Sequence, residues 1–204
     1  PMPGAAELAA HYAQYAGNAT YAAKPEKKLA HALRRIARLK KRVRGERFLD
    51  VGCNLGFAVE AARRLGFRAT GIEIGTQAVK EAARLFPDNR FFACSAQEMA
   101  ERSEVFDLVH CREVIEHVPD PQGFAAALAR LTAPGGVLYL STPDAGHWRV
   151  PRDFATWFAV KPPEHLYYFS RLAIARLLGE HGFGRLNFAW HLKPRLALTA
   201  VRAA

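Results

Sequence analysis

Two short segments of this chain combine residue types suited to holding a nucleoside. Phe48-Leu49-Asp50-Val51-Gly52-Cys53-Asn54-Leu55-Gly56 is an apolar run that ends in a turn of small residues. Thr70-Gly71-Ile72-Glu73-Ile74 is a second run that ends on an acid. A strand, a glycine-bearing turn, a helix and a second strand closing on a carboxylate form a βαβ unit of the kind that binds adenosine. Gly52 and Gly56 would keep side chains away from a ligand lying against the backbone, and Asn54 is the non-glycine residue that best tolerates positive φ. Glu73, at the carboxyl end of its strand, is placed to accept hydrogen bonds from both hydroxyls of a ribose. The spacing argues against NAD. A G-x-G-x-x-G fingerprint would fall on Gly52, Asn54 and Phe57, and Phe57 would block the approach of a pyrophosphate to the helix.

The elements that must carry these residues alternate along the chain. Strands are expected near 47–51, 68–73, 89–94, 105–111 and 136–142, with helices near 56–65, 76–86 and 121–132. Asp120-Pro121 reads as a helix start and Pro134-Gly135-Gly136 as a stop and turn. Ser170 caps a further helix that Gly182 ends, and 184–191 with 195–202 read as a closing hairpin. The alternation predicts an α/β protein with a doubly wound, mostly parallel sheet. Two helical patterns, 5–16 and 26–43, precede it as a cap spanning 1–44, leaving 45–204 as the main domain.

Several segments together resemble the class I S-adenosylmethionine (SAM) methyltransferases. Motif I of that superfamily is acid-x-G-x-G-x-G, here Asp50, Gly52, Asn54 and Gly56, with a departure at Asn54. Residues 89–101 (NRFFACSAQEMAE) resemble the third strand and the adenine-contacting turn, with Ser95 where many members carry Asp. Residues 105–121 (VFDLVHCREVIEHVPDP), 131–143 (LTAPGGVLYLSTP) and 164–183 (EHLYYFSRLAIARLLGEHGF) resemble the fourth strand, the fifth strand and a subgroup segment. That subgroup includes ubiquinone-type O-methyltransferases and sugar and natural-product methyltransferases. The resemblance implies a Rossmann-like seven-stranded sheet with an antiparallel edge hairpin, and SAM as cofactor.

For SAM it implies that Asp50 and the Gly52–Gly56 backbone lie beneath the amino-acid tail. Glu73 takes the ribose, Ile74 packs on adenine, Ser95 and Ala96 border its edge, and the backbone near Cys111 and Arg112 closes the pocket toward the methyl group. A competing reading makes Asp50 a turn-stabilising acid without ligand contact. Methyl transfer requires alignment of nucleophile, methyl and sulfur, and a hydroxyl acceptor must also lose a proton. His117 and His165 are the candidate bases, because imidazole titrates near neutral pH. For His117 the alternative is a ring that holds its loop in place. Sugar C-methyltransferases carry Tyr-x-Glu-His before the second histidine, whereas Pro162 stands at that tyrosine position here. His147, Trp148 and Arg149 are further residues near the acceptor side whose direction the sequence leaves open. No metal ligands are expected.

Residues 143–169 interrupt the rhythm with seven aromatics in 27 residues, beyond the fifth strand. They read as a lid over the substrate, or as a satellite hydrophobic cluster under the last helix. The 204 residues carry 29 basic and 19 acidic side chains, a net charge of +10. Eleven of the basic residues lie between Lys24 and Arg47, against two glutamates, on a helix whose Leu29, Leu33, Ile36, Leu39 and Val43 form an apolar stripe. The basic face reads either as a solvated surface or as a site for an anionic partner. No aromatics interleave with the charges, so nucleic acid is not expected.

Three cysteines without Cys-x-x-Cys spacing suggest buried thiols in a reducing cytoplasm. No run approaches the roughly eighteen apolar residues of a membrane span, and the N-terminus lacks the pattern of a signal peptide. The leading reading is a cytoplasmic SAM-dependent methyltransferase acting on a small-molecule acceptor at oxygen, with an anionic acceptor allowed. An RNA methyltransferase and a SAM-binding protein without turnover are the alternatives. Oligomeric state is left open.

Overall fold

A computed structural model describes residues 24–203. The helical pattern at 5–16, and with it most of the cap, lies outside the described residues. In chain order the elements are α1 (Pro25–Lys40), β1 (Arg47–Val51), α2 (Phe57–Arg64), β2 (Arg68–Glu73), α3 (Thr76–Leu85), β3 (Arg90–Ala93), α4 (Ala96–Glu101) and β4 (Phe106–Arg112). After them come α5 (Pro121–Leu131), β5 (Thr132–Pro143), α6 (Arg171–Glu180), β6 (Phe183–Phe188) and β7 (Arg195–Arg202), with 3-10 turns at Ile115–His117 and Phe154–Thr156. The seven strands pair in the order β3-β2-β1-β4-β5-β7-β6. β1 to β5 are parallel, and β7 runs antiparallel to both β5 and β6.

Successive side chains point to opposite sides, and the sheet is largely apolar on both faces. Leu49, Val51, Val109, Cys111, Leu138, Leu140 and Leu198 face one layer, completed by α4, α5 and α6. Phe48, Leu108 and Val137 face the other, where Ala32, Ile36 and Leu39 of α1 and Ala58, Val59 and Ala62 of α2 cover them. Burying each of these larger side chains stabilises the fold by about 1.5–3 kcal/mol. The apolar stripe of α1 therefore belongs to the same layer as α2. Between β1 and β4 the chain changes its direction of winding across the sheet, which opens a crevice beyond the carboxyl ends of those two strands.

Two local differences from the sequence reading have plain causes. Residues 96–101, read as a turn, form the short helix α4, because Ser95 and Glu98 make a reciprocal capping box. Pro134-Gly135-Gly136, read as a turn before the strand, is absorbed within β5. The register against β4 slips between Phe106 and Leu108, and Gly135 takes φ 71°. The caps at Asp120 and Ser170 form as expected, each side chain accepting the N–H three residues on. The ends of the 143–169 loop are tied by Asp144 pairing with Phe169 and by Ala145 N–H donating to the Phe169 carbonyl.

Glu60 shows how α2 is anchored. Its carboxylate is 3% exposed. It accepts Arg63 Nε at 3.0 Å, Arg64 Nε at 2.6 Å and Asn89 Nδ2 at 2.9 Å. Burial alone would raise its pKa, but these bonds outweigh burial and hold it at about 2. A depressed carboxylate gives stability above its unfolded pKa that is lost as pH falls through the folded one. Thermal melts from about pH 6 down to about pH 3 should thus show a smaller loss of stability for Glu60→Gln than for the parent. An equal slope would mean that Glu60 does not contribute to acid sensitivity.

Candidate functional site

A cavity of about 670 Å³ fills the crevice at the carboxyl ends of β1, β2 and β4, within the size range of small-molecule sites. Its first half is built by the turn after β1. Gly52 and Cys53 N–H both donate to the Ile72 carbonyl, at 2.9 and 3.0 Å, which fastens the turn to β2. Gly52, Asn54 and Gly56 all have positive φ, at 71°, 47° and 78°. Glu73 reaches across this turn. One carboxylate oxygen accepts Asn54 N–H and the other Gly75 N–H, each at 3.2 Å. Burial pushes its pKa up, against those backbone bonds. Beside it Ile74 is 53% exposed on the cavity, an apolar side chain left open where a flat base would cover it.

Of the residues singled out in the sequence, Gly52, Asn54, Glu73, Ile74, Ser95, Ala96, His117 and His165 line this cavity. Asp50, Gly56, Cys111 and Arg112 do not. The Asp50 side chain is 4% exposed and points to the α1 face of the sheet, where its Oδ1 sits 2.6 Å from His110 Nδ1. Its bond is to the neighbouring strand β4, away from both the cavity and the turn. Cys111 is fully buried in the opposite layer, and Arg112 points to solvent. The glycines also serve packing where sequence reasoning invoked only the ligand. A Cβ on Gly52 would meet Val114 Cγ2 at 2.5 Å, and one on Gly56 the Phe91 ring at 2.7 Å. The Ser95 hydroxyl, read as an adenine contact, already donates to Glu98 Oε2 and accepts Glu98 N–H.

The second half holds the titratable groups. His117 and His165 meet edge to face with ring centroids 4.7 Å apart. His117 Nδ1 lies 2.8 Å from the Glu164 carbonyl, so Nδ1–H donates to that oxygen. Burial lowers the pKa of both imidazoles; the Glu164 carbonyl partly offsets this for His117 and the Ala159 carbonyl for His165. Both rings are thus neutral bases at pH 7.

Glu116 is the residue that sequence reasoning missed. It is 1% exposed; its Oε2 accepts the Thr142 hydroxyl at 2.9 Å, and its Oε1 lies 4.0 Å from His117 Nε2. Burial and the neighbouring Glu113 push its pKa up to about 8. Its backbone carbonyl accepts Leu166 and Tyr167 N–H, fixing the 164–167 segment to the turn after β4. Two acids around an otherwise apolar Val114-Ile115 pair were the available signal. No metal ligands were expected, yet Glu116, His117 and His165 offer donor atoms within 4.8 Å of one another.

The 143–169 loop holds an aromatic cluster and also contributes to the cavity wall. Trp157 is 2% exposed and packs with Phe154, Phe158 and Tyr168 as a satellite cluster. Phe158, Ala159, Lys161, Glu164 and His165 form a wall of the cavity. His147, Trp148 and Arg149 are not part of it; His147 Nε2 bonds the His191 carbonyl and Arg149 lies over Trp148.

The general model of a methyltransferase domain matches residues 21–185. The chain belongs to the methyltransferase-domain family. A ubiquinone biosynthesis O-methyltransferase of Xanthomonas campestris is 38% identical over 165 residues, covering 78% of this chain and 62% of that protein. One of Paracidovorax citrulli is 41% identical over 107 residues, covering 49% and 44%. The chain thus spans between about two fifths and three fifths of these relatives' length. Among solved structures, a SAM-dependent methyltransferase from Archaeoglobus fulgidus aligns with a TM-score of 0.70 at 14% identity, over 85% of this chain and 94% of that one. Phosphoethanolamine N-methyltransferase 2 from Haemonchus contortus aligns with a TM-score of 0.66 at 18% identity, over 83% and 52%. These likenesses are of fold.

The family's cofactor, SAM, fits the first half of the cavity. Glu73 offers carboxylate lone pairs that would accept from a ribose, Ile74 an open apolar face, and Ala78 and Ala96 bulk small enough to admit a base. Removing the Glu73 acceptor should cost about 1.5–3 kcal/mol per charged hydrogen bond. Glu73→Ala is expected to weaken SAM binding at least tenfold by calorimetry, with the helical circular dichroism retained. Gly52→Ala meets both the Val114 contact and the positive-φ penalty of about 1–2 kcal/mol, so its melting temperature should fall. A variant that melts like the parent would show that the turn tolerates a side chain.

Proposed function

We propose that this chain is a SAM-dependent methyltransferase that methylates a small-molecule acceptor at oxygen. The observation that carries the reading is one continuous cavity joining the Glu73–Ile74 arm to the His117–His165 pair. SAM supplies an electrophilic methyl on a sulfonium. The protein's task is then to hold the acceptor in line with it and to take up a proton. The names of the relatives, ubiquinone biosynthesis O-methyltransferases, support oxygen as the acceptor atom.

His165 acts as the general base in this reading. It lines the acceptor half, it is neutral at pH 7, and it sits on the loop opposite the cofactor turn. His117, held by the Glu164 carbonyl and facing Glu116, orients that loop and is the alternative base. Phe158 and Ala159 give the acceptor an apolar wall, and Lys161 offers the same wall one cation for a polar or anionic substituent. The 143–169 loop serves as the lid on that side. The basic α1 residues line no part of this cavity, which disfavours a nucleic-acid acceptor threaded along them.

Labelled SAM assayed against a panel of hydroxylated aromatic acceptors tests the activity. With an acceptor in hand, His165→Gln should keep SAM affinity while turnover falls roughly a hundredfold or more, the typical worth of a positioned base. Because burial lowers the His165 pKa, the rate of the parent should fall only as pH drops below the ordinary imidazole value of about 6.5. Unchanged turnover would transfer the role to His117 or to alignment alone. A parallel loss of SAM affinity would make His165 part of the cofactor site.

A further inference from the structure

A second cavity, of about 570 Å³, lies on the opposite side of the molecule's chemistry, between α1 and the face of β5, β7 and β6. Arg34, Arg35 and Arg38 line it from α1 and Arg42 from the turn just after it, with His31 at its end; Tyr139, Thr199 and His191 line it from the sheet side. The spacing of Arg34, Arg35 and Arg38 is that of one helical face. That face looks into a concavity bounded by the sheet, whereas a purely solvating basic face would look outward.

Charge balance distinguishes this cavity from an ordinary surface. Among the described residues no carboxylate lines it, and none of the four arginines forms an ion pair with one. Asp50, the acid on the same face of the sheet, is shielded behind the His110 ring. Arg35 Nε donates to His110 Nε2 at 3.0 Å, and His110 Nδ1 lies 2.6 Å from Asp50. Since Nε2 accepts, His110 is neutral with its proton on Nδ1, consistent with a pKa that burial lowers. Burial and Arg112 also lower the pKa of Arg35, so its charge is held at a cost.

The guanidiniums are ordered as well as concentrated. Arg42 Nη1 donates to the Thr199 hydroxyl at 2.9 Å, Arg34 Nη2 donates to His31 Nδ1 at 3.2 Å, and Arg35 is fixed by His110. Each of these partners takes only part of the five N–H donors a guanidinium carries, so donors remain for a planar or tetrahedral oxyanion. Four like charges around one hollow repel each other, and an anion in the hollow converts that repulsion into attraction.

We propose that this cavity is a binding site for a phosphate-bearing ligand, separate from the methyl-transfer cavity. Its volume accommodates a diphosphate group with part of an attached molecule. Tyr139, stacked on His110 at 5.1 Å with 8° between rings, gives the floor an aromatic surface. The line Arg35–His110–Asp50 ends on β1, two residues before Gly52.

Calorimetry of the whole chain with inorganic pyrophosphate tests the site, repeated with Arg34→Ala/Arg38→Ala. Both residues are exposed and outside the apolar layer, so the double variant is expected to melt like the parent and to bind SAM unchanged. Saturable pyrophosphate binding at about 150 mM salt, weakened at least tenfold in the double variant, is the expected result. Sedimentation with phosphatidylglycerol vesicles, against phosphatidylcholine alone, identifies the source of the phosphate. Vesicle binding that needs both arginines places it on a lipid headgroup, and its absence beside pyrophosphate binding places it on a soluble ligand. No saturable binding of either probe, or equal affinity in the variant, overturns the proposal. Mixed-sequence tRNA bound below micromolar and lost in the variant overturns it in favour of an extended polyanion.

Discussion

The cofactor half of this protein hangs on the Glu73 carboxylate, whose two oxygens accept N–H groups from opposite sides of the crevice, Asn54 at the end of the first strand's turn and Gly75 after the second. That bridge lets a chain segment with three positive-φ residues keep one geometry. Positive φ at Asn54 costs energy that glycine would not incur, and the carboxylate offsets it by binding the Asn54 N–H. The same bridge leaves lone pairs of the carboxylate facing the cavity. If Glu73 takes the ribose as proposed, a group that organises the turn in the free chain would already be in place for it, and little rearrangement would be required on binding.

What was legible in the sequence is what local chemistry writes locally. The β1 turn, the acid at the end of β2, and the caps at Asp120 and Ser170 each depend on residues within a few positions of one another. They were readable for that reason. The mostly parallel sheet with its antiparallel edge hairpin followed from the βα alternation and from the family resemblance. Glu116 was not readable as a site residue, because its burial is produced by Thr142 from β5 and by the 164–167 segment, both distant in sequence. Asp50 was read toward the ligand for a similar reason: the partner that turns it away, His110, lies sixty positions on. The roles of Gly52 and Gly56 were half legible. Their conformations followed from the motif, whereas Val114 and Phe91, which occupy the missing Cβ positions, belong to other elements.

The two faces of the sheet divide the labour. The layer under α4, α5 and α6 is largely apolar, with Leu49, Val109, Leu138 and Leu198 in succession and the hydrogen-bonded Thr142–Glu116 pair at its cavity end. The layer under α1 and α2 admits a polar row, Asp50, His110, Tyr139 and Thr199, crossing four neighbouring strands at matched register. A row of this kind is tolerated in a core only when its members satisfy one another. Asp50 and His110 do so, and Arg35 completes the line from above. The basic composition of α1 is therefore partly a structural requirement of the sheet beneath it. The exposed arginines beyond Arg35 are not explained by that requirement.

The 143–169 loop resolves a conflict between holding an aromatic wall and leaving it accessible. Phe158 is 68% exposed beside the cavity, a position that water alone would disfavour. It is kept there because its neighbour Trp157 is buried with Phe154 and Tyr168, and because Asp144, Ala145 and Phe169 close the base of the loop. The cluster fixes the backbone, and the backbone presents Phe158, Lys161 and His165 to the crevice. In the proposed reading, a wall held this rigidly would align an acceptor without the loop having to fold around it. The apolar wall also keeps water from the two imidazoles and holds them neutral, in line with the lowered pKa of each. The loop's aromatic excess and the histidine at its end are in this sense one device, built from a buried tryptophan outward.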